Sequence, residues 1–321
     1  MNGAIKPELV DFAGDMRFER GRIRVNPPIY AGVPTTAKNF APPNGTLFRT
    51  VTGTSFAAPR VANLAARLFK EFPNASSNLV RALIADSARI PQNRPTYLLN
   101  KKSWEDEILR LYGYGQPDFT RARWSYQNEV LLIADTSIEL GWFQLFTIPP
   151  LPEDFIKTTG GQISVTLAFD PPTRYTRGDS YLGVVMEFIL FRNVTAANIA
   201  EALRVLKPEE RENLENEELP TLRNLRGEEG LRFNFDMKPT SQRRKKGTLQ
   251  RAIFRVPKSN WQYNGGELVL AVICHRKWAP ANITHQRFAI VASLNHDDPM
   301  IDIYSHVQQH VRAYQRVRVT V

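Results

Sequence analysis

Apolar residues recur at spacings of three to four between positions 56 and 69: Phe56, Val61, Leu64, Ala65, Leu68 and Phe69. Arg60, Arg67 and Lys70 fall on the other side. This periodicity predicts an amphipathic helix. Pro59 has no amide proton and fits only near a helix start, so the helix should begin close to Ser55. A second helix is expected over 78–89, with Asn78 as N-cap and Leu79, Ala82 and Leu83 on one face. Residues 1–50 are broken by Pro7, Pro27, Pro28, Pro34, Pro42 and Pro43 and read as strands and loops. Residues 91–103 read as a loop.

The pattern changes after Tyr112-Gly113-Tyr114-Gly115-Gln116-Pro117-Asp118. Short apolar runs at 130–134, 142–148, 162–169, 181–191, 250–256, 268–274 and 288–294 are separated by Gly and Pro clusters and predict strands. The run at 162–169 alternates with period two, as a half-buried strand does. Seven such strands suggest an antiparallel sandwich of the jelly-roll kind over residues 126–321. A charged insertion at about 195–248 interrupts them. It opens with a helical pattern at 195–206, continues through a Glu- and Arg-rich stretch at 209–229, and contains Arg243-Arg244-Lys245-Lys246. It reads as solvated.

The chain has 321 residues, 42% apolar and 23% charged, with a net charge of +10. That suits two globular domains and favours acidic partners without specifying a fold. Cys274 is the one cysteine, which excludes an internal disulfide and reads as a buried small hydrophobe. The first residues lack the apolar core of a secretory signal. The longest apolar stretch, 181–191, holds Glu187 and is far short of the roughly 20 residues that cross a bilayer. The chain as given reads as cytoplasmic, with no membrane partner.

The chemistry concentrates in Gly53-Thr54-Ser55-Phe56-Ala57-Ala58-Pro59. A serine hydroxyl needs a base to become a nucleophile and donors for the oxyanion it creates. A loop-to-helix junction supplies free first-turn amides and the positive end of the helix dipole. Gly53 would admit a substrate backbone, and Ala57 and Ala58 would allow close packing. The plainer alternative is that Thr54 or Ser55 caps the helix.

The whole string resembles the serine-bearing segment of the subtilisin-like serine proteases, the subtilases. Ile5-Lys6-Pro7-Glu8-Leu9-Val10 looks like the family stretch that often reads "IKPDLVAPG". Tyr112-Gly113-Tyr114-Gly115 looks like the glycine-rich close of the catalytic domain. Arg60 stands where the family often has His, and Asn63 where it often has Gly. The resemblance covers about residues 4–125, the second half of a catalytic domain. It implies a partial α/β subtilase domain, parallel sheet with helices, at 1–125. It also implies a serine peptidase with Ser55 as catalytic nucleophile and a protein or peptide as substrate. The 165–172 and 286–294 runs resemble strands of the β-sandwich modules that follow the catalytic domain in multidomain bacterial subtilases.

The first half of such a domain carries the catalytic Asp, the catalytic His and the oxyanion Asn. None can be placed here. No histidine precedes Ser55; Asp11 and Asp15 match a different part of the pattern, and Asn2 and Asn44 lack the oxyanion context. A missing N-terminal segment carrying Asp and His is therefore the expected partner, and the chain alone should be inactive. The histidines (His275, His285, His296, His306 and His310) all lie downstream. His296-Asp297-Asp298 reads as a polar strand end rather than a dyad or metal cluster. No zinc signature occurs, and no cofactor or metal is expected. The basic run at 243–246 lacks aromatic interleaving and reads as a wet loop rather than a nucleic-acid site. The alternative to a peptidase is a non-catalytic remnant or protein-binding scaffold that works through the β-sandwich.

Overall fold

A computed structural model describes residues 3–309 apart from 20, 25–29, 39–44, 124, 126, 207, 212–232 and 258–261. Two small ribbons open it. β1 (Arg17–Glu19) pairs with β2 (Arg22–Arg24), and β3 (Val33–Thr36) with β4 (Phe48–Val51), both antiparallel. A parallel sheet was expected in this half; among the described residues every strand pair is antiparallel. The connections explain this. Two residues join β1 to β2, and the 37–47 segment joins β3 to β4. Neither can carry the crossover that parallel neighbours require.

Four helices follow: α1 (Thr54–Glu71), α2 (Ser77–Ser87), α3 (Asp106–Tyr112) and α4 (Phe119–Arg123). α2 is capped by Ser76, whose Oγ accepts from the Leu79 amide at 3.1 Å. Asn78, the expected cap, is buried inside the first turn, where its Nδ2 donates to Asp170 Oδ1 at 2.8 Å. The shorter Ser side chain reaches the third amide from the true boundary, two residues earlier.

The remaining strands are β5 (Glu129–Glu139), β6 (Phe143–Ile148), β7 (Gly161–Phe169), β8 (Val184–Phe191), β9 (Leu249–Arg255), β10 (Leu268–Arg276) and β11 (His285–His296). All seven overlap the expected runs. They form a four-stranded sheet, β5-β11-β7-β9, and a three-stranded sheet, β6-β10-β8. Successive strands alternate between the two. Ile163, Val165, Leu167 and Phe169 of β7 and Phe288, Ile290 and Leu294 of β11 meet Met186, Phe188, Leu270 and Val272 of the other sheet in one core.

The other face of the four-stranded sheet is buried too. It offers small residues: Ala168 lies opposite Ala289, Thr166 opposite Val291, and Ser164 opposite Ser293. Small side chains let α2 settle close, and Ala82, Leu83 and Ala85 join Ala168, Ala289 and Val291 in a second core. Helix α6 (Ala196–Val205) covers the far face of the three-stranded sheet through Ile199, Ala202 and Leu203; α5 (Glu153–Lys157) caps the end of the first core with Phe155. The layers run helix, sheet, sheet, helix.

The expectation of a solvated stretch at 195–248 needs correction. Phe233, Phe235, Met237, Ser241 and Arg244 are buried, the last two in α7 (Ser241–Arg244). Arg244 is held by the Pro239 and Phe188 carbonyls at 2.9 and 2.7 Å and stacks on the Phe188 ring. Most of the Glu-rich stretch lies outside the described residues. Cys274 is buried as expected, and burial pushes its thiol up to about 12. Among the described residues no helix is long and apolar enough to cross a membrane.

Candidate active site

Helix α1 starts at Thr54, one residue from the expected position, with Gly53 as its N-cap and no side chain closing the first turn. Thr54 and Ser55 thus lie inside the helix and neither caps it. Ser55 is exposed. Among the described residues, no acceptor takes the Thr54 or Ser55 amide. Those are orphan donors at the positive end of an 18-residue helix. A Cβ built on Gly53 would touch only the Phe56 ring, at 3.8 Å, so the approach over the loop is open. Pro59 removes the amide that would otherwise bond the Ser55 carbonyl from one turn ahead.

The three sequence segments that suggested a common origin meet beneath this loop. The Gly53 amide donates to the Ala13 carbonyl at 2.9 Å, and Thr52 Oγ1 to the Gly14 carbonyl at 3.0 Å. The 5–13 stretch is tied in turn to the Tyr-Gly-Tyr-Gly segment: Val10 N–H to Gly115 O at 3.1 Å, and Tyr114 N–H to Glu8 O at 2.8 Å. Gly113 permits that contact, and Gly115 a second one with the end of α2. Gly113 has φ +57°, and a Cβ there would lie 2.1 Å from the Pro7 carbonyl oxygen. At Gly115, φ +109°, it would lie 2.3 Å from the Arg89 oxygen. Either position accepts only glycine.

Asp11 ends this chain of contacts. Its carboxylate pairs with Arg60 of α1 at 3.1 Å and accepts from Gln116 Nε2 at 3.0 Å. Arg60 thereby ties α1 to the stretch that resembles the family pattern. Asp15 bonds the Met16 amide.

No histidine joins Ser55 among the described residues. His275 is buried against Glu187 at 2.7 Å, and Ser241 Oγ donates to the other Glu187 oxygen, also at 2.7 Å. Burial works against the Glu187 charge, yet the hydrogen bonds with His275 and Ser241 and the nearby Lys245 charge hold its carboxyl below the usual carboxylate range. Glutamate stands between the serine and the histidine here, so the histidine cannot take the serine proton. His296 closes β11, with Thr158 Oγ1 at 2.9 Å from its Nε2 and the Asp298 amide at 3.0 Å from its Nδ1. That is the polar strand end expected. His285 contacts Thr284, and His306 the Pro150 carbonyl; His310 lies outside the described residues. Among the described residues no three His, Cys, Asp or Glu side chains converge as a metal-ligand set.

Sequence reasoning missed a buried polar network under α2. Asp86 Oδ1 accepts from Ser164 Oγ at 2.8 Å and Thr166 Oγ1 at 3.0 Å. Arg251 of β9 donates to Ser164 Oγ and to the Ala88 carbonyl, and Tyr114 Oη donates to the Leu249 carbonyl. Burial brings the Arg251 guanidinium down to about 10 and pushes the Tyr114 phenol up. Charged residues inside mainly apolar runs, Asp86 in 79–88 and Arg251 in the 250–256 strand, are the signal that could have found it.

Residues 1–115 match the profile of the subtilase family, peptidase S8. The chain belongs to the subtilase family. This subtilase is also 35% identical over 318 residues to an uncharacterized protein, y4bN, of Sinorhizobium fredii (strain NBRC 101917 / NGR234). That alignment covers 98% of the subtilase chain and 68% of the relative, so it runs through the two sheets as well as the helical layer. The family is one of serine peptidases, whose substrates are proteins.

Proposed function

We propose that this chain carries the nucleophile-bearing half of a subtilase catalytic domain at 1–125, fused to a jelly-roll β-sandwich at 126–321. Ser55 is the acyl-forming residue. Its Oγ attacks the substrate carbonyl, its proton passes to a histidine, the amine leaves with that proton, and water then releases the acyl group. The Ser55 amide contributes one donor to the oxyanion. The observation that carries this reading is the exposed Ser55 at an uncapped helix start with free amides and open space over Gly53. The histidine, its orienting aspartate and the oxyanion Asn come from a further segment carrying Asp and His, or from a second chain. The length of the relative, of which this chain covers 68%, leaves room for such a segment. The strand order β5-β11-β7-β9 over β6-β10-β8 supports the jelly roll.

A fluorophosphonate probe tests the assignment. The isolated chain should label far below stoichiometry, and adding the Asp- and His-bearing segment should restore labelling that Ser55→Ala abolishes. Labelling that survives Ser55→Ala would remove Ser55 from the role.

The contacts of the described histidines with groups other than Ser55 favour a second reading. In it the chain is a non-catalytic remnant or protein-binding scaffold that works through its sandwich. Failure of any added segment to restore labelling would support that reading.

A further inference from the structure

The basic run at 243–246 is not a uniform wet loop. Its two arginines are structural: Arg243 pairs with Asp106 at 3.2 Å and bonds the Gly3 carbonyl, and Arg244 is buried. Its two lysines turn elsewhere. Lys245 and Lys246 line a cleft of about 570 Å³ together with Arg177, Lys277, Tyr181 and Trp278. Four cations from three separate stretches of chain thus converge on one concavity, with Asp179 as its single carboxylate. The cleft is of the size that binding sites have. It shares no residue with the Ser55 loop.

The lining also narrows the occupant. Leu182, Val185 and Ala4 supply apolar wall between the charges. The Trp278 ring already has guanidinium groups beside it, Arg177 at 5.1 Å and Arg174 at 5.9 Å from its centroid, and its indole N–H donates to the Ser180 carbonyl at 2.7 Å. A nucleic-acid base stacking on Trp278 would compete with these cations for the ring, and single-stranded nucleic acid depends on such platforms. A carboxylate among the cations opposes a uniformly charged phosphate backbone but can accept peptide N–H groups. We propose that this cleft is a docking site for an acidic peptide segment, its carboxylates meeting Lys245, Lys246, Lys277 and Arg177 and its apolar side chains resting on the wall between them.

Fluorescence polarisation on the full chain tests this. The probe is a labelled octapeptide with four Glu and two Leu; its comparators are the Gln counterpart and an oligothymidylate of equal charge. The acidic peptide should bind at least tenfold more tightly than either, and more weakly as salt is raised. Lys246→Gln and Arg177→Gln should each weaken it about two- to fivefold, as loss of a partly exposed ion pair does. Lys246→Arg should not. Lys157→Gln, which lowers net charge equally on an exposed helix, should leave binding unchanged. On the wild-type chain, bound peptide should protect Lys245, Lys246 and Lys277 from acetylation, read by mass spectrometry. Equal binding of the Gln peptide, an equal loss with Lys157→Gln, or absence of protection would overturn the proposal. An oligothymidylate that binds as tightly as the peptide would replace the occupant with a nucleic acid.

Discussion

Among the described residues Glu187 is the most enclosed carboxylate, fully buried between His275 and Ser241. A buried pair of this kind is costly to break, because removing one partner strands the other. It also gives stability a pH signature. The folded-state carboxyl titrates below its ordinary value of 4.5, since hydrogen bonds with His275 and Ser241 and the Lys245 charge outweigh the burial that opposes its charge. A depressed acid contributes stability that is fully present above the unfolded value and is lost as pH falls through the folded one. Wild-type stability should therefore drop on acidification below about 4.5, with a slope from this group of up to about 1.4 kcal/mol per pH unit. In Glu187→Gln that part of the slope should vanish, so the two proteins converge toward pH 3. Urea midpoints between pH 7 and pH 3 measure it. A gap that stays constant across that range would show that Glu187 keeps one pKa in both states.

Single elements divide into those that periodicity exposes and those it hides. The seven strands were legible because β8 and β10 are largely apolar on both faces and β7 alternates with period two, and α1 because its apolar residues keep helical spacing. Loop chemistry at Gly113 and Gly115 left a readable trace as well, since glycines serve where backbones touch. Among the described residues the parallel sheet expected from resemblance is absent, because the connections between neighbouring strands are too short for a crossover. The cap of α2 was misplaced because Ser76, Ser77 and Asn78 all suit the role, and only tertiary context chooses. Ser76 wins by serving two elements: it caps α2, and its Oγ donates to Asp135 of β5 at 2.7 Å while its amide donates to the same carboxylate at 2.8 Å. Ser76→Ala should cost about 1–2 kcal/mol in a urea titration. Asn78→Ala would remove the Asp170 contact but leave the cap intact. A Ser76→Ala loss within error of zero would return the cap to Asn78.

For the whole molecule, the helical layer and the sheets are bound through shared cores rather than a linker. Asp86 and Tyr114 from the first 125 residues bond into β7 and β9, and Arg251 of β9 reaches back to the Ala88 carbonyl. Residues 126–321 alone would expose Ala168, Ala289 and Val291 and leave the Arg251 charge without Asp86. We expect that fragment to unfold without a cooperative transition and to bind a hydrophobic dye, while the full chain gives one transition in calorimetry. A sharp, reversible transition of the fragment would instead establish an independent domain. Asp86 and Arg251 look like errors in the apolar pattern until the second layer is seen, which is why this dependence was not legible in the sequence.

The alternation of strands between the two sheets has a further consequence, in time. Among the described strands from β5 onward no two consecutive ones pair with each other, so none of them starts the process as a hairpin. Strand β5 must wait for β11, whose Asn295 faces Glu129. At about 5–20 residues per second on the ribosome, that wait is on the order of ten to thirty seconds. Until β7 and β9 have both emerged the apolar side of α2 has no paired strands to rest on, and the sheet beneath it is completed only by β11. Folding is late and slow, dominated by contacts distant in sequence, and β5 and the open edge of β7 stay unpaired until β11 emerges.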